Sequence, residues 1–187
     1  MPPTMPRKFF RRFLPDSDAV RGHKYLAWCG AWLHHPNLWA LNRHSVAGGF
    51  AIGMFAGLVP GPFQMLTAAL FALPLKKNLP VALATTLYTN PFTIAPLYVL
   101  AYGFGRLILG AGGAPLEVAP YQWDWTHWLD SSVALMHWTL SLGPPLAVGL
   151  VALAVTLAVL GYAAVQIGWR VYVTLAWRAR ARRRRNP

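Results

Sequence analysis

Two charge-free hydrophobic stretches of this chain are each interrupted in the middle by proline and a polar residue. No other sequence feature restricts the fold as strongly. The first stretch runs from Val46 to Leu75 and breaks at Pro60-Gly61-Pro62-Phe63-Gln64. The second runs from Val81 to Gly105 and breaks at Asn90-Pro91-Phe92-Thr93-Ile94-Ala95-Pro96. Each exceeds the roughly 20 apolar residues that cross a bilayer. In lipid, a broken helix leaves backbone N–H and C=O groups without partners, which is tolerated only where protein or a water-lined cavity supplies them. A plain membrane anchor needs no such break. Paired interrupted helices are the sequence pattern that points to a site at membrane depth.

The charges are scarce and segregated. Only 12% of residues are charged, about half the soluble-protein average of roughly 25%, too few to cover a water-facing surface. Of the 17 Lys and Arg, seven lie in 1–45 and six in 178–185; Lys76, Lys77, Arg106 and Arg170 complete the set. A third span, Ser131 to Trp169, is also free of charge. This pattern predicts an all-α integral membrane protein with broken or re-entrant helices, transmembrane helices and an amphipathic N-terminal helix. Residues 1–45 read as a basic, amphipathic cytoplasmic or interfacial region, 46–170 as the membrane domain and 171–187 as a basic cytoplasmic tail. Within the membrane domain the broken elements are 46–75 and 81–110. The outer segment is 111–145, and a transmembrane helix covers 146–169.

A net charge of +12 would suggest nucleic acid in a soluble protein. Here the basic clusters flank apolar spans, where they hold loops cytoplasmic and meet anionic lipid heads. The expected partners are therefore membrane lipids, with no nucleic acid. A single cysteine, Cys29, excludes an intramolecular disulfide framework. No cleavable signal peptide is visible, so the first apolar span is expected to stay in the mature protein. The arm Arg7-Lys8-Phe9-Phe10-Arg11-Arg12-Phe13-Leu14 is either an interfacial segment or a solvated arm. Tyr25, Trp28, Trp32 and Trp39 suggest a collar at headgroup level. His34, His35 and His44 lie beside it without an acidic or cysteine partner, so no metal site is expected.

Charge placement also constrains topology. The segment 107–145 has no Lys or Arg but carries Glu117, Asp124 and Asp130 beside Trp123, Trp125 and Trp128, which reads as the outer side with its own aromatic belt. The N-terminal arm and the Arg-rich tail read as cytoplasmic, so the number of complete crossings is even. A re-entrant hairpin meets that condition: Val46 to Val59 descends, Pro60-Gly61-Pro62 turns, and Phe63 to Leu75 returns, leaving Lys76 and Lys77 inside. Each arm is about 20 Å of helix, too short for a hydrocarbon core of about 30 Å. The rival is a single kinked crossing with both lysines outside, and the positive-inside rule favours the hairpin. The second stretch then descends over Pro80 to Asn90, turns through Pro96 and exits over Leu97 to Leu109. Beyond a weaker outer helix over Asp130 to Leu142, Gly143-Pro144-Pro145 precedes the span that returns inward.

Gly49, Gly53, Gly57 and Gly61 recur every four residues on one helix face. Small residues at this spacing let a second backbone approach closely in lipid. The stripe is a helix-packing face, used either within the chain or against a second copy.

A family resemblance rests on a longer set of residues. His35-Pro36-Asn37-Leu38-Trp39 leads to Ser45-Val46-Ala47-Gly48-Gly49, then Gly53, Phe55, Gly57 and Pro60-Gly61-Pro62-Phe63-Gln64. Lys77-Asn78-Leu79-Pro80, Asn90-Pro91-Phe92-Thr93, Pro96 and Tyr102-Gly103-Phe104-Gly105 follow in order. Together these resemble the bacterial membrane family called domain of unknown function 2062, well over about residues 30–110 and loosely to about 170. The resemblance implies the inner (cytoplasmic) membrane of a bacterium and no particular activity. In pattern the chain is also similar, more weakly, to DedA-type membrane proteins, which are linked to lipid-carrier translocation. It lacks the acidic residue those proteins keep in their first broken element, having no Asp or Glu between Val46 and Gly105.

The polar groups available at the breaks are Gln64, Asn78, Asn90 and Thr93, with Arg106 further along. They either repair the backbone freed by Pro60, Pro62, Pro91 and Pro96 or line a substrate or ion path, where helix N-termini would add partial positive charge. Arg106 follows Tyr98 and Tyr102 at four-residue spacing on one face. It either snorkels to headgroups or recognises phosphate. No paired carboxylates, nucleophile elbow, HExxH or phosphate loop occurs, so the chain is not expected to be an enzyme or to need a cofactor. Asp124, His127 and Asp130 fall near one outer helix face and read as its solvated side. Two functions remain. One is translocation of a lipid headgroup, lipid carrier or small solute through a cavity formed by the broken helices. The other is a non-enzymatic scaffold or accessory subunit whose glycine stripe packs a partner membrane protein or a homo-oligomer.

Overall fold

The computed structural model describes residues 35–59, 63–90, 92–110, 124 and 126–185, without the side chains of residues 129, 132 and 182–185. The expected basic arm and aromatic collar up to residue 34, Pro60, Gly61, Pro62, Pro91 and, of the outer segment 111–145, residues 111–123 and 125 lie outside these residues. The described residues are helical throughout and contain no strand. They form α1 (Arg43–Ala56), α2 (Phe63–Ala72), α3 (Leu79–Thr86), α4 (Ile94–Ile108), α5 (Trp128–Ser141) and α6 (Gly143–Arg185), with a 3₁₀ turn at Pro36–Leu38. One helix, α6, is long and apolar enough to cross a membrane; α2 and α4 are apolar but shorter.

Local chemistry fixes the ends. Asn42 caps α1, its side-chain oxygen accepting from Ser45 N at 2.8 Å, and Asn78 caps α3 in the same way from Val81 N at 2.9 Å. At the end of α2, Lys77 N donates to Ala72 O and Lys76 N to Leu73 O, at 3.0 and 3.1 Å. That is the Schellman pattern, and it places Lys76 in the left-handed region at φ 52° where glycine is usual. Pro96 lies inside the first turn of α4 rather than beyond the break. Its missing N–H has no partner to lose there, so α4 starts at Ile94 instead of Leu97. Pro144 and Pro145 open α6 for the same reason, directly after Gly143 at φ 60°. The basic tail is not a separate element either. Helix α6 continues through Arg170 to Arg185, because Ala, Arg and Leu there are strong helix formers with no breaker among them.

The first stretch is a helical hairpin. The chain leaves along α1, turns, and returns along α2, so that Asn78 N donates to Ser45 O at 3.2 Å and the Lys77 stem lies over Gly48. Helix α3 then runs parallel to α1: Gly49 meets Asn78, Gly53 meets Ala82 and Thr85, and Gly57 meets the Tyr88 ring. A Cβ at Gly49 or Gly53 would collide with a carbonyl oxygen of Asn78 or Ala82. The stripe Gly49, Gly53, Gly57 therefore packs α3 of its own chain.

Helix α6 lies antiparallel to both α1 and α4. Gln166 reaches His44 at 3.4 Å, Gly161 faces Phe50 and Met54, and Leu58 clusters with Leu153 and Ala154. Further along, Gly149 meets Ala101 and Gly105 meets Pro145. Helices α1 and α4 thus lie end to end along the part of α6 from Pro145 to Gln166. Leu58, just past the end of α1, sits beside Leu153, roughly 12 Å of helix from Pro145 and 20 Å from Gln166.

The packing is small inside and large outside. On α2, Ala68 and Ala72 are fully buried whereas Leu66 and Leu70 are 56% and 62% exposed. Ala101 is buried on α4 while Leu100 and Leu107 are exposed; Ala154 is buried on α6 while Val155 and Val159 are exposed. A water-soluble helix reverses this order. Helices that associate in lipid bring small residues together instead. Two cores result. Leu38, Ile52, Ala56, Ala68, Ala72, Leu79 and Ala82 form one around the hairpin. Leu58, Tyr98, Ala101, Leu146, Leu153 and Ala154 form the other between the tip, α4 and α6.

Candidate functional site

Between the two cores, the hairpin tip meets the second break. Helix α1 ends there, and its last carbonyls have no intrahelical donor to follow. Three hydroxyls from the second stretch take those positions. Tyr88 donates to Met54 O at 2.8 Å, Thr89 to Gly57 O at 2.7 Å, and Tyr98 to Leu58 O at 3.3 Å. Thr89 is buried, and its oxygen also lies 2.7 Å from the Gln64 amide and 3.0 Å from Thr86 O. One hydroxyl proton serves one acceptor. The consistent assignment turns the Gln64 amide so that its NH₂ donates to Thr89, while Thr89 donates to Gly57.

The break itself is knitted by its own polar residues. Asn90 Oδ1 accepts from Phe92 N and Thr93 N at 2.9 and 3.1 Å, an Asx turn. Thr93 Oγ1 accepts from Asn90 N at 2.9 Å and donates to Tyr88 O at 2.7 Å. Just before the break, Thr85 and Thr86 donate to Val81 O and Leu83 O, each at 2.7 Å. These side chains return to the backbone what the prolines remove.

The expected site residues thus divide. Gln64, Asn90 and Thr93 come together around Thr89. Asn78 does not join them: it sits at the far end of α3, fully buried, where its Nδ2 donates to Ala40 O at 3.1 Å and Ser45 Oγ donates to Asn37 O at 2.6 Å beside it. Arg106 lies at the opposite end of the bundle, 7% exposed, with its guanidinium 5.9 Å from the centre of the Tyr102 ring. Tyr98, on the same face of α4, stacks on Trp138 of α5 at 6.5 Å. Sequence reasoning missed Tyr88 and Thr89, and Tyr98 as a partner of the tip. The available signal was the run of hydroxyl residues Thr85, Thr86, Tyr88 and Thr89 immediately before Asn90-Pro91.

The junction is electrically neutral in its side chains. The only Lys, Arg, Asp or Glu between Val46 and Gly105 are Lys76 and Lys77, at the far end of α2. A second polar cluster marks the start of α5. Asp124 Oδ1 accepts from Thr126 N and Thr126 Oγ1 at 2.8 and 2.6 Å, and His127 Nδ1 lies 3.1 Å from Asp124 Oδ2. The Thr126 hydroxyl, then His127, then the Thr126 amide hold this exposed carboxyl below its ordinary value near 3.8. All of these bonds span three residues or fewer, as in a helix-start motif. Among the described residues no group of three His, Cys, Asp or Glu is placed to hold a metal ion.

The fold and the junction define an all-helical protein with, among the described residues, one spanning-length helix and a polar meeting point between a helical hairpin and a broken helix. The chain belongs to the family described as "uncharacterized protein conserved in bacteria" (DUF2062), whose model matches residues 26–178. That match includes the hairpin, the break and most of α6. No curated protein and no solved structure is detectably similar to the chain.

Proposed function

We propose that the chain is a multi-pass protein of the bacterial inner membrane that translocates a lipid headgroup, lipid carrier or small solute at the junction of the hairpin and the second break. In this reading α1 and α2 form a re-entrant hairpin from the cytoplasmic side. Helices α3 and α4 make one broken crossing, α6 makes the second, and both termini stay cytoplasmic. Three features support it. Large apolar side chains cover the outside of α2, α4 and α6. Lys77, Arg43 and Arg170 lie toward the end where α1 begins, whereas the segment 107–145, which carries Asp124 and Asp130, has no Lys or Arg. Above all, the end of α1 stops part-way along the stretch of α6 between Pro145 and Gln166, beside Leu153, where hydroxyls, amides and carbonyls converge. Polar backbone at membrane depth is kept where it lines a path or supports one.

The three hydroxyl–carbonyl bonds contribute about 0.5–1.5 kcal/mol each. An open state lies within a few kcal/mol when only these must break, a gap that leaves the minor state populated. The scaffold reading is less well supported, because α3 already occupies the glycine stripe that a partner would need. Purified protein in liposomes tests the proposal. The expected result is faster lipid scrambling or solute efflux than in protein-free vesicles, slowed in a folded Gln64→Ala, Asn90→Ala double variant. Rates equal to those of empty vesicles across lipid and solute probes reject it.

A further inference from the structure

The hydrogen-bond inventory of the junction also restricts what can pass. This step rests on the translocation reading and adds the class of cargo. The closed junction pairs three O–H donors, from Tyr88, Thr89 and Tyr98, with three carbonyl acceptors, from Met54, Gly57 and Leu58. Separating the two sides frees donors on one wall and acceptors on the other. An anion would satisfy the hydroxyls and strand the carbonyls. A cation would do the reverse. Either would also enter a low-dielectric region whose hydrogen bonds involve no charged side chain, where an uncompensated charge costs several kcal/mol. A guest hydroxyl is both donor and acceptor. It can accept from Tyr98 or Thr89 and donate to Leu58 or Gly57, so each broken pair is replaced one for one. The Gln64 amide, again donor and acceptor, offers the same exchange.

We infer that the junction selects a neutral, polyhydroxylated group, carried either by a sugar- or glycerol-type lipid headgroup or by a free polyol.

Proteoliposomes separate the two sources and both levels of the reading. The probes are a fluorescent monohexosyl diacylglycerol and fluorescent phosphatidylserine for scrambling, with erythritol, chloride and sodium for flux. The expected result is that the hexosyl lipid or erythritol moves at least about tenfold faster than the charged probes relative to empty vesicles. Movement of the lipid alone assigns the headgroup source, and of erythritol alone the free solute. Thr89→Val is expected to slow the hydroxylated probe about fivefold, the effect of losing one hydrogen bond, and Thr89→Ser is expected to restore it. A melting curve in detergent identifies a Thr89→Val sample that has not folded, and Tyr98→Phe then supplies the same comparison. Charged probes moving as fast as the hydroxylated ones would overturn the cargo assignment and leave translocation standing. Nothing moving at all overturns both.

Discussion

Placing a methyl group at Gly105 or Gly149 tests whether α4 and α6 depend on backbone contact. A Cβ at Gly105 would lie 2.6 Å from the carbonyl carbon of Pro145 and 3.0 Å from Gly149 N, and one at Gly149 would lie 2.8 Å from Gly105 N. The carbonyl oxygens of Pro145 and Ala101 lie closer still, and contacts of this kind are ordinarily 3.4–4 Å, so the helices must part by about 2 Å. Neither obstacle is a flexible side chain; both are backbone. Overpacking of this type costs about 1–3 kcal/mol. We expect Gly105→Ala and Gly149→Ala each to fall in that range. The two collisions are reciprocal, and a single separation of the helices relieves both. The double variant should therefore cost about as much as the worse single one, a coupling of at least about 1 kcal/mol between the sites. Unfolding free energies of wild type, both single variants and the double variant, measured in bicelles by steric trapping, give the cycle directly. Additive costs would mean that the sites do not share one displacement and that the close crossing is wrong. Costs near zero would mean that the helices do not touch there.

Three further outcomes follow from single residues. Asn78→Ala removes the cap on Val81 N and strands Ala40 O; together these should cost about 2–4 kcal/mol, read as a lower melting temperature, and an unchanged melt would remove Asn78 from the base of the hairpin. Lys76→Gly should stabilise the protein by about 1 kcal/mol, because glycine adopts φ 52° without strain, and a loss of stability on substitution would contradict that backbone. The depressed carboxyl of Asp124 contributes to the start of α5 fully above its unfolded value near 3.8. That contribution fades as pH falls through the lower folded value. Amide exchange at Thr126 and His127 should accelerate in that acid window, and Asp124→Asn should abolish the pH dependence; an identical acid profile in the variant would exclude this carboxyl as the cause.

The sequence made the hairpin legible because several signals agreed. Pro60-Gly61-Pro62 broke the apolar run at its centre, and the lysines at 76 and 77 demanded a return. The glycine face was legible as a packing face, but its partner was not. Spacing places Gly49, Gly53 and Gly57 on one side of α1, and it carries no information about whether α3 or another chain lies there. The role of Asn78 was hidden for a similar reason. Asparagine before Leu-Pro reads equally as a helix cap and as a polar wall, and only the long-range bond to Ala40 decides between them. Tyr88, Thr89 and Tyr98 were illegible as a set because their acceptors are main-chain carbonyls 32 to 40 positions away. A carbonyl has no residue identity, so no pattern of side chains can reveal it. The length of α6 was misjudged because a run of arginines reads as a boundary by charge, although helix propensity carries straight through it.

The distribution of strong and weak contacts says where such a molecule can move. Helix α1 touches α3, and α4 touches α6, through glycines whose replacement is blocked by backbone, so parting either pair breaks close backbone contact. The tip is joined to α4 through Tyr98 and Leu58 and to the end of α3 through Tyr88 and Thr89, by hydroxyl bonds whose net contribution is small. Charged groups in the same place would hold the junction more rigidly, since breaking a buried ion pair leaves an uncompensated charge. Neutral hydroxyls leave nothing comparable behind when they part. In the translocation reading, motion is therefore directed to the hydroxyl contacts of the end of α1 with α4 and with the segment after α3, with α6 packed against α1 and α4 as a common support. A pair of cysteines joining the end of α1 to α4 within the second core tests this directly. In the translocation reading, Leu58→Cys with Tyr98→Cys should lose, on crosslinking, the transport it shows when reduced, with the α1–α3 and α4–α6 contacts intact. Undiminished transport in the crosslinked protein would place the moving boundary elsewhere.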